Sequence, residues 1–155
     1  MSESLPLPAF IRKTLDPITE EWRDFAETLA VDGTSDLVLR DHIHAILFYI
    51  ADDIEIAQTA KQQVKKSHGK SDKHKDSPGA IHAALRHGIG FNMVEMVSEY
   101  RALRATVIKL WTKTRIVLTD SDVLDLIRFN EAIDQLLTQS VACFIENYQL
   151  KPKSA

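Results

Sequence analysis

The chain has 155 residues, 45% of them hydrophobic and 26% charged, with a formal net charge of −3. That length suits one domain, residues 1–155, able to bury about 70% of its unfolded surface, and the composition is that of an ordinary soluble globule. The slight negative charge gives nucleic acid or an anionic membrane no electrostatic reason to bind. A single cysteine, Cys143, excludes an internal disulfide framework and suits a reducing, cytoplasmic setting.

The opening MSESLPLPAF has no basic region followed by an apolar core, so it does not read as a signal peptide. The longest apolar run, Ala45 to Ala51, is far short of the ~20 residues that span a bilayer. With only five glycines and five prolines, and no stretch holding a period of two, the chain reads as helix throughout. A first helix is expected over residues 8–29, with Phe10, Ile11, Leu15, Ile18, Trp22, Phe25 and Leu29 on one side. Asp16-Pro17 resembles an N-cap followed by a first-turn proline, so this segment is either two helices or one kinked helix.

Asp32 to Ser35 reads as a turn. The second long helix carries Leu39, Ile43, Ile46, Leu47, Ile50, Ile54 and Ala57 in one stripe and breaks near Ile56, before a short polar helix over 59–66. Residues 67–78, SHGKSDKHKDSP, contain no large apolar side chain and read as an exposed internal loop. A short helix over 79–87 ends at Gly88 and Gly90. Asn92 followed by Glu95 is a capping-box start for the next helix, whose expected core stripe is Val94, Val97, Tyr100, Leu103, Val107, Leu110 and Trp111. Thr119 to Asp122 repeats the start signal. The last helix then runs to about Tyr148, with Val123, Ile127, Ile133, Leu137, Phe144 and Tyr148 as its core side.

No familiar catalytic or metal pattern is present. His42 and His44, two apart on a helix, point to nearly opposite sides. His82 and His87 lie about 140° apart around theirs, and His68 and His74 sit beside lysines. HExxH, CxxC and EF-hand spacings are missing, as are GxSxG, Walker A and GxGxxG. Cys143, among Val141, Phe144 and Ile145, reads as an inert core thiol. Asp52, Asp53 and Glu55 form a carboxylate cluster of the kind that usually marks a solvated helix face. Without a nucleotide-binding segment, the chain is not expected to phosphorylate itself. The expectation is therefore no catalytic residue, no metal and no cofactor.

Arg104 stands out at the edge of an apolar stripe, where a guanidinium must be paired or reach solvent. Glu99, five residues earlier, is poorly placed for it along the helix, so Asp52, Asp53 or Glu55 is its expected partner. Along the last helix a second apolar stripe, Leu126, Phe129, Ala132 and Leu136, lies beside the first and suggests a second partner surface.

The stretch HAALRHGIGFNMVEMVSEYRALRATVIKLW, residues 82–111, resembles the N-terminal sensor domains of stressosome RsbR-type proteins and related domains heading bacterial sensor histidine kinases. The resemblance extends upstream through residues 39–63 and covers most of the chain. Its specific parts are His82-x3-Arg86, Gly90-Phe91 and Glu99-Tyr100-Arg101-Ala102-Leu103-Arg104. It implies an all-α, globin-like bundle without haem, here of about five to seven helices ending in a long antiparallel pair. It also implies a homodimeric, non-enzymatic input domain regulating a C-terminal histidine kinase or anti-anti-sigma output domain. Whether such an output follows this chain stays open. The terminal helices, with Trp22, Phe25 and the Phe129 stripe, are the expected dimer surface. His82, Arg86, Glu99, Tyr100, Arg101 and Arg104 are the candidate ligand or signalling seam. The alternative is a haem or other tetrapyrrole sensor with His82 or His87 as axial ligand.

Overall fold

The computed structural model describes residues 4–28, 36–56 and 77–148, and all regular structure in them is helical. Six helices follow in chain order: α1 (Leu7–Lys13), α2 (Leu15–Glu27), α3 (Asp36–Glu55), α4 (Pro78–Gly88), α5 (Met93–Thr112) and α6 (Asp120–Asn147). The expected turn at 32–35, the short helix at 59–66 and most of the 67–78 loop lie outside the described residues.

The first segment is two helices, and the break falls at Thr14 rather than at Asp16. Pro17 accounts for the position. In a continuous helix its nitrogen would have to donate to the carbonyl of Lys13, but proline has no N–H and its ring clashes there. Helix α1 therefore stops at Lys13, and Thr14 closes it by donating both its N–H and its hydroxyl to the Phe10 carbonyl. Pro17 then sits in the first turn of α2, where no donor is needed.

The starts of α4, α5 and α6 are set by local chemistry. Ser77 Oγ accepts from the Ala80 N–H at 3.2 Å, with Pro78 next in line, so residues 77 and 78 belong to the start of α4 and not to the loop before it. Asn92 and Glu95 form a reciprocal capping box at 2.8 and 3.0 Å. Thr119 and Asp122 form another at 3.1 and 3.0 Å. Between α4 and α5 the chain reverses through Gly90, whose φ of 95° lies in the left-handed region that favours glycine.

One apolar cluster joins Leu7, Phe10 and Ile11 of α1, Ile18 and Trp22 of α2, and Ile43, Leu47, Ile50 and Ile54 of α3 to Leu103, Val107 and Trp111 of α5 and Phe129, Ile133, Leu136 and Phe144 of α6. Helix α3 packs on α1, α2 and α6, α2 on α5, and α4 along α6. Contacts between α5 and α6 pair Tyr100 with Ser140 and Arg104 with Asp134. Further on, Arg115 meets Asp122, so ascending positions on one side meet descending positions on the other. Between α4 and α6 both series ascend: Gly79 meets Gln139, Ala80 meets Cys143 and His87 meets Tyr148.

The expected core face of α5 holds at Tyr100, Leu103, Val107 and Trp111 and fails at Val94, and that of α6 holds at Ile133 and Phe144 but is otherwise displaced. On α5 the buried line is Met96, Glu99, Tyr100, Leu103, Val107 and Trp111, while Val94 is 72% exposed. On α6, Phe129, Ala132 and Leu136 are fully buried together with Ile133, while Val123 and Ile127 are 45% and 53% exposed. Apolar side chains flank α6 on two sides, α1, α3, α4 and α5 pack on this helix, and the Phe129 side is the buried one. The Phe129 stripe therefore belongs to the protomer core and cannot form a free dimer surface. Trp22 is fully buried as well.

No described helix is long and apolar enough to cross a membrane.

Candidate functional site

Helix α4 presents His82 and Arg86 one turn apart, on the face where i and i+4 side chains neighbour each other. Both point at Glu99 of α5. The carboxylate is 1% exposed and its two partners are 2% and 0% exposed, so the ionic group is sealed from water. His82 Nε2 lies 2.5 Å from Glu99 Oε1. Arg86 Nε donates to Oε1 at 3.0 Å and to Oε2 at 2.7 Å.

Arg86 extends the group to a third helix, since its Nη1 lies 2.6 Å from Nδ1 of His42 on α3. A guanidinium can only donate, so His42 Nδ1 accepts and its proton resides on Nε2. The guanidinium carbon lies 5.8 Å from the Trp22 ring centre and 5.5 Å from that of Phe91, so aromatic rings flank the cation. Among the described residues the buried Arg86 Nη2 has no hydrogen-bond partner.

On the other side of His82, the Tyr100 ring lies 5.1 Å away centre to centre. Ser140 Oγ donates to the Gly79 carbonyl at 2.7 Å and lies 2.9 Å from the Tyr100 hydroxyl. Its one proton is thereby used, so Tyr100 donates and Ser140 accepts. The polar chain thus runs from His42 on α3 through Arg86, Glu99 and His82, and an aromatic contact carries it on to Tyr100, Ser140 and Gly79.

Electrostatics follow from this enclosure. Burial alone would raise the Glu99 carboxyl, but the charges and hydrogen bonds of His82 and Arg86 override it and hold the group below the usual carboxylate range. His42 is pushed down to about 4, chiefly by burial and then by the Arg86 charge, which keeps it neutral near pH 7. Burial also pushes the Tyr100 phenol well above its ordinary value. The group is therefore a buried ion pair extended by the neutral His42 and Tyr100. It ties three helices together.

Of the six expected seam residues, four meet here: His82, Arg86, Glu99 and Tyr100. Arg101 is exposed. Arg104 pairs with Asp134 of α6, while Asp52 and Glu55 of α3 are held by Arg12 of α1. His42, Ser140, Gly79, Trp22 and Phe91 were not expected in the site. For His42 a signal existed: it stands four residues before Ile46 on α3, a polar residue beside an apolar stripe. His87 is stacked on Tyr148 at 3.7 Å and 8°, at the end of α6. Among the described residues no group of three or more His, Cys, Asp or Glu side chains could hold a metal ion.

No protein-family model, curated protein or solved structure matches this chain.

Proposed function

We propose that the chain is a non-catalytic signal-input domain of a bacterial signal-transduction protein. It resembles the stressosome RsbR-type sensor domains and regulates a histidine kinase or anti-anti-sigma output through the geometry of a homodimer. In this reading the bundle is globin-like and α5 and α6 are its closing antiparallel pair. The observation that carries the reading is the sealed Glu99 carboxylate, shared by His82 and Arg86. A catalytic acid or base must reach a substrate proton, and this carboxylate is walled off by its own partners. What it can do is fix α4 and α5 relative to each other and, through Arg86, to α3. A buried ionic group of that kind can select one arrangement of helices over another, and an input domain works by shifting the balance between two such arrangements.

The haem alternative finds both candidate ligands engaged, His82 with Glu99 and His87 against Tyr148. The dimer surface moves in this reading from the Phe129 stripe to the exposed apolar residues Ile116, Val117 and Leu118 with Val123, Leu124 and Ile127 of α6.

The test joins this chain to a dimeric histidine-kinase transmitter and compares wild type with Glu99→Gln at a temperature where both are folded. A several-fold change in autophosphorylation is expected. Equal rates from two equally folded proteins would refute the input-domain reading.

A further inference from the structure

Two buried donors compete for one carboxylate. The Nε–H and Nη2–H groups of a guanidinium lie along one edge and take a carboxylate as a two-bond fork. In this structure Glu99 does not use that fork: both of its oxygens lie near Arg86 Nε, Oε1 is also held by His82, and Nη2 has no partner among the described residues. Rotation of the guanidinium would break the contact of Nη1 with His42 Nδ1, and the Trp22 and Phe91 ring centres lie 5.8 and 5.5 Å from its carbon. The carboxylate can move without breaking that contact. If it slides onto the Nε/Nη2 edge, Arg86 gains its fork and His82 Nε2 loses its acceptor. Either way one buried donor stays unmatched, so neither arrangement is fully satisfied.

We infer that Glu99 is a two-position carboxylate, shared between His82 and Arg86 in one state and forked on Arg86 alone in the other. The ionisable and charged groups facing it are His82 and Arg86 of α4, with His42 of α3 behind Arg86 and Tyr100 beside Glu99 on α5. The reach of the exchange is set by packing. The freed His82 ring lies against Tyr100, whose hydroxyl is tied through Ser140 to the Gly79 carbonyl where α4 meets α6. Release of His82 therefore alters the contact between α4 and α6. That this contact carries a signal rests on the input-domain reading, whereas the exchange of the carboxylate does not.

Nuclear magnetic resonance on the full chain tests the exchange. In wild type, relaxation dispersion is expected at Arg86 Nε and at the Gly79 and His82 amides with one shared rate, and a minor state of about 0.1–10%. His82→Phe removes the competing donor and keeps a ring against Tyr100. It should give one forked state, with resolved, slowly exchanging Nη2 protons on Arg86 and a shifted Gly79 amide. A flat dispersion profile at Arg86 Nε in wild type overturns the inference. So does a folded His82→Phe protein whose Arg86 and Gly79 signals keep their wild-type positions. If His82→Phe does not fold, the wild-type profiles decide alone. Exchange in the isolated chain combined with unaltered transmitter activity in Glu99→Gln would remove the signalling reading and leave the two-position carboxylate standing.

Discussion

Two glycines of α4 are expected to respond to alanine with opposite signs. A Cβ at Gly79 would lie 2.5 Å from both the Leu136 carbonyl oxygen and Gln139 Cβ of α6. The carbonyl is backbone inside a helix and cannot step aside, so α4 must move off α6. Overpacking of this kind costs about 1–3 kcal/mol. Alanine's better helix propensity returns at most about 1 kcal/mol, and less in the first turn. Stretching the Ser140 bond to the Gly79 carbonyl adds to the loss. The net expectation for Gly79→Ala is a loss of about 1–2 kcal/mol, which for a chain of this size lowers Tm by roughly 2–8 °C.

At Gly88 nothing lies within 4 Å of the added carbon. Gly88→Ala should therefore leave stability unchanged or raise it by about 0.4–1 kcal/mol, through a less flexible unfolded chain. Urea unfolding followed by circular dichroism measures both, provided the m-values agree with wild type. If Gly79→Ala matches or exceeds wild type while Gly88→Ala loses stability, the close α4–α6 contact is wrong.

Glu99→Ala strands Arg86 and His82 in the interior and should cost about 3–5 kcal/mol in the same assay; a loss below ~1 kcal/mol would show that water reaches the pair. Acid should destabilise the fold in two stages, since His42 and Glu99 both have lowered values. Between pH ~6.5 and about 4 the unfolded chain binds a proton at His42 that the folded chain refuses, so stability falls as pH drops through that window. Glu99 adds stability that is present above its unfolded value and lost as pH falls through its lower folded value. His42→Asn, which keeps an acceptor for Arg86 but does not titrate, should flatten the Tm profile across the first window; an unchanged slope there would contradict the assignment. Ile127→Glu, at a half-exposed position, should push the proposed dimer toward the 17.5 kDa monomer mass by light scattering without lowering Tm. A dimer that survives the change would place the interface elsewhere.

Local chemistry was readable from the sequence, and partner choice was not. The Asn92–Glu95 and Thr119–Asp122 boxes close within four residues, so their spacing suffices to place the starts of α5 and α6. The break at Thr14 follows from Pro17 once its four-residue reach back to Lys13 is counted. Helix α6 defeated periodicity because it is apolar on two sides: Val123 and Ile127 fit a helical stripe as well as Phe129, Ala132 and Leu136 do. Only the arrival of α1, α3, α4 and α5 decides which stripe is covered. Arg104 failed for a related reason. Two of its three expected carboxylates on α3, Asp52 and Glu55, are taken by Arg12, a choice made by the packing of α1 on α3. Within the site, His82 and Arg86 share a face by spacing alone, while no local spacing joins Glu99 and Tyr100 of α5 to them. His42, Ser140 and Gly79 join through contacts 44, 40 and 61 positions apart along the chain, beyond the reach of any local pattern.

The first described residues are bound at the turn that joins α5 to α6. Trp111 Nε1 donates to the Leu5 carbonyl at 3.1 Å, Arg115 reaches both Ser4 and Leu5, and the Leu7 N–H donates to Asp125 at 3.2 Å. From there α6 runs 28 residues, a rod of about 42 Å at 1.5 Å per residue. A dye pair at Ser4 and Tyr148 therefore spans α6 from the Leu5 strap to the helix end. Bending of α6 by a few ångströms, or undocking of the Leu5 strap, becomes a change in colour that can be followed in a cuvette.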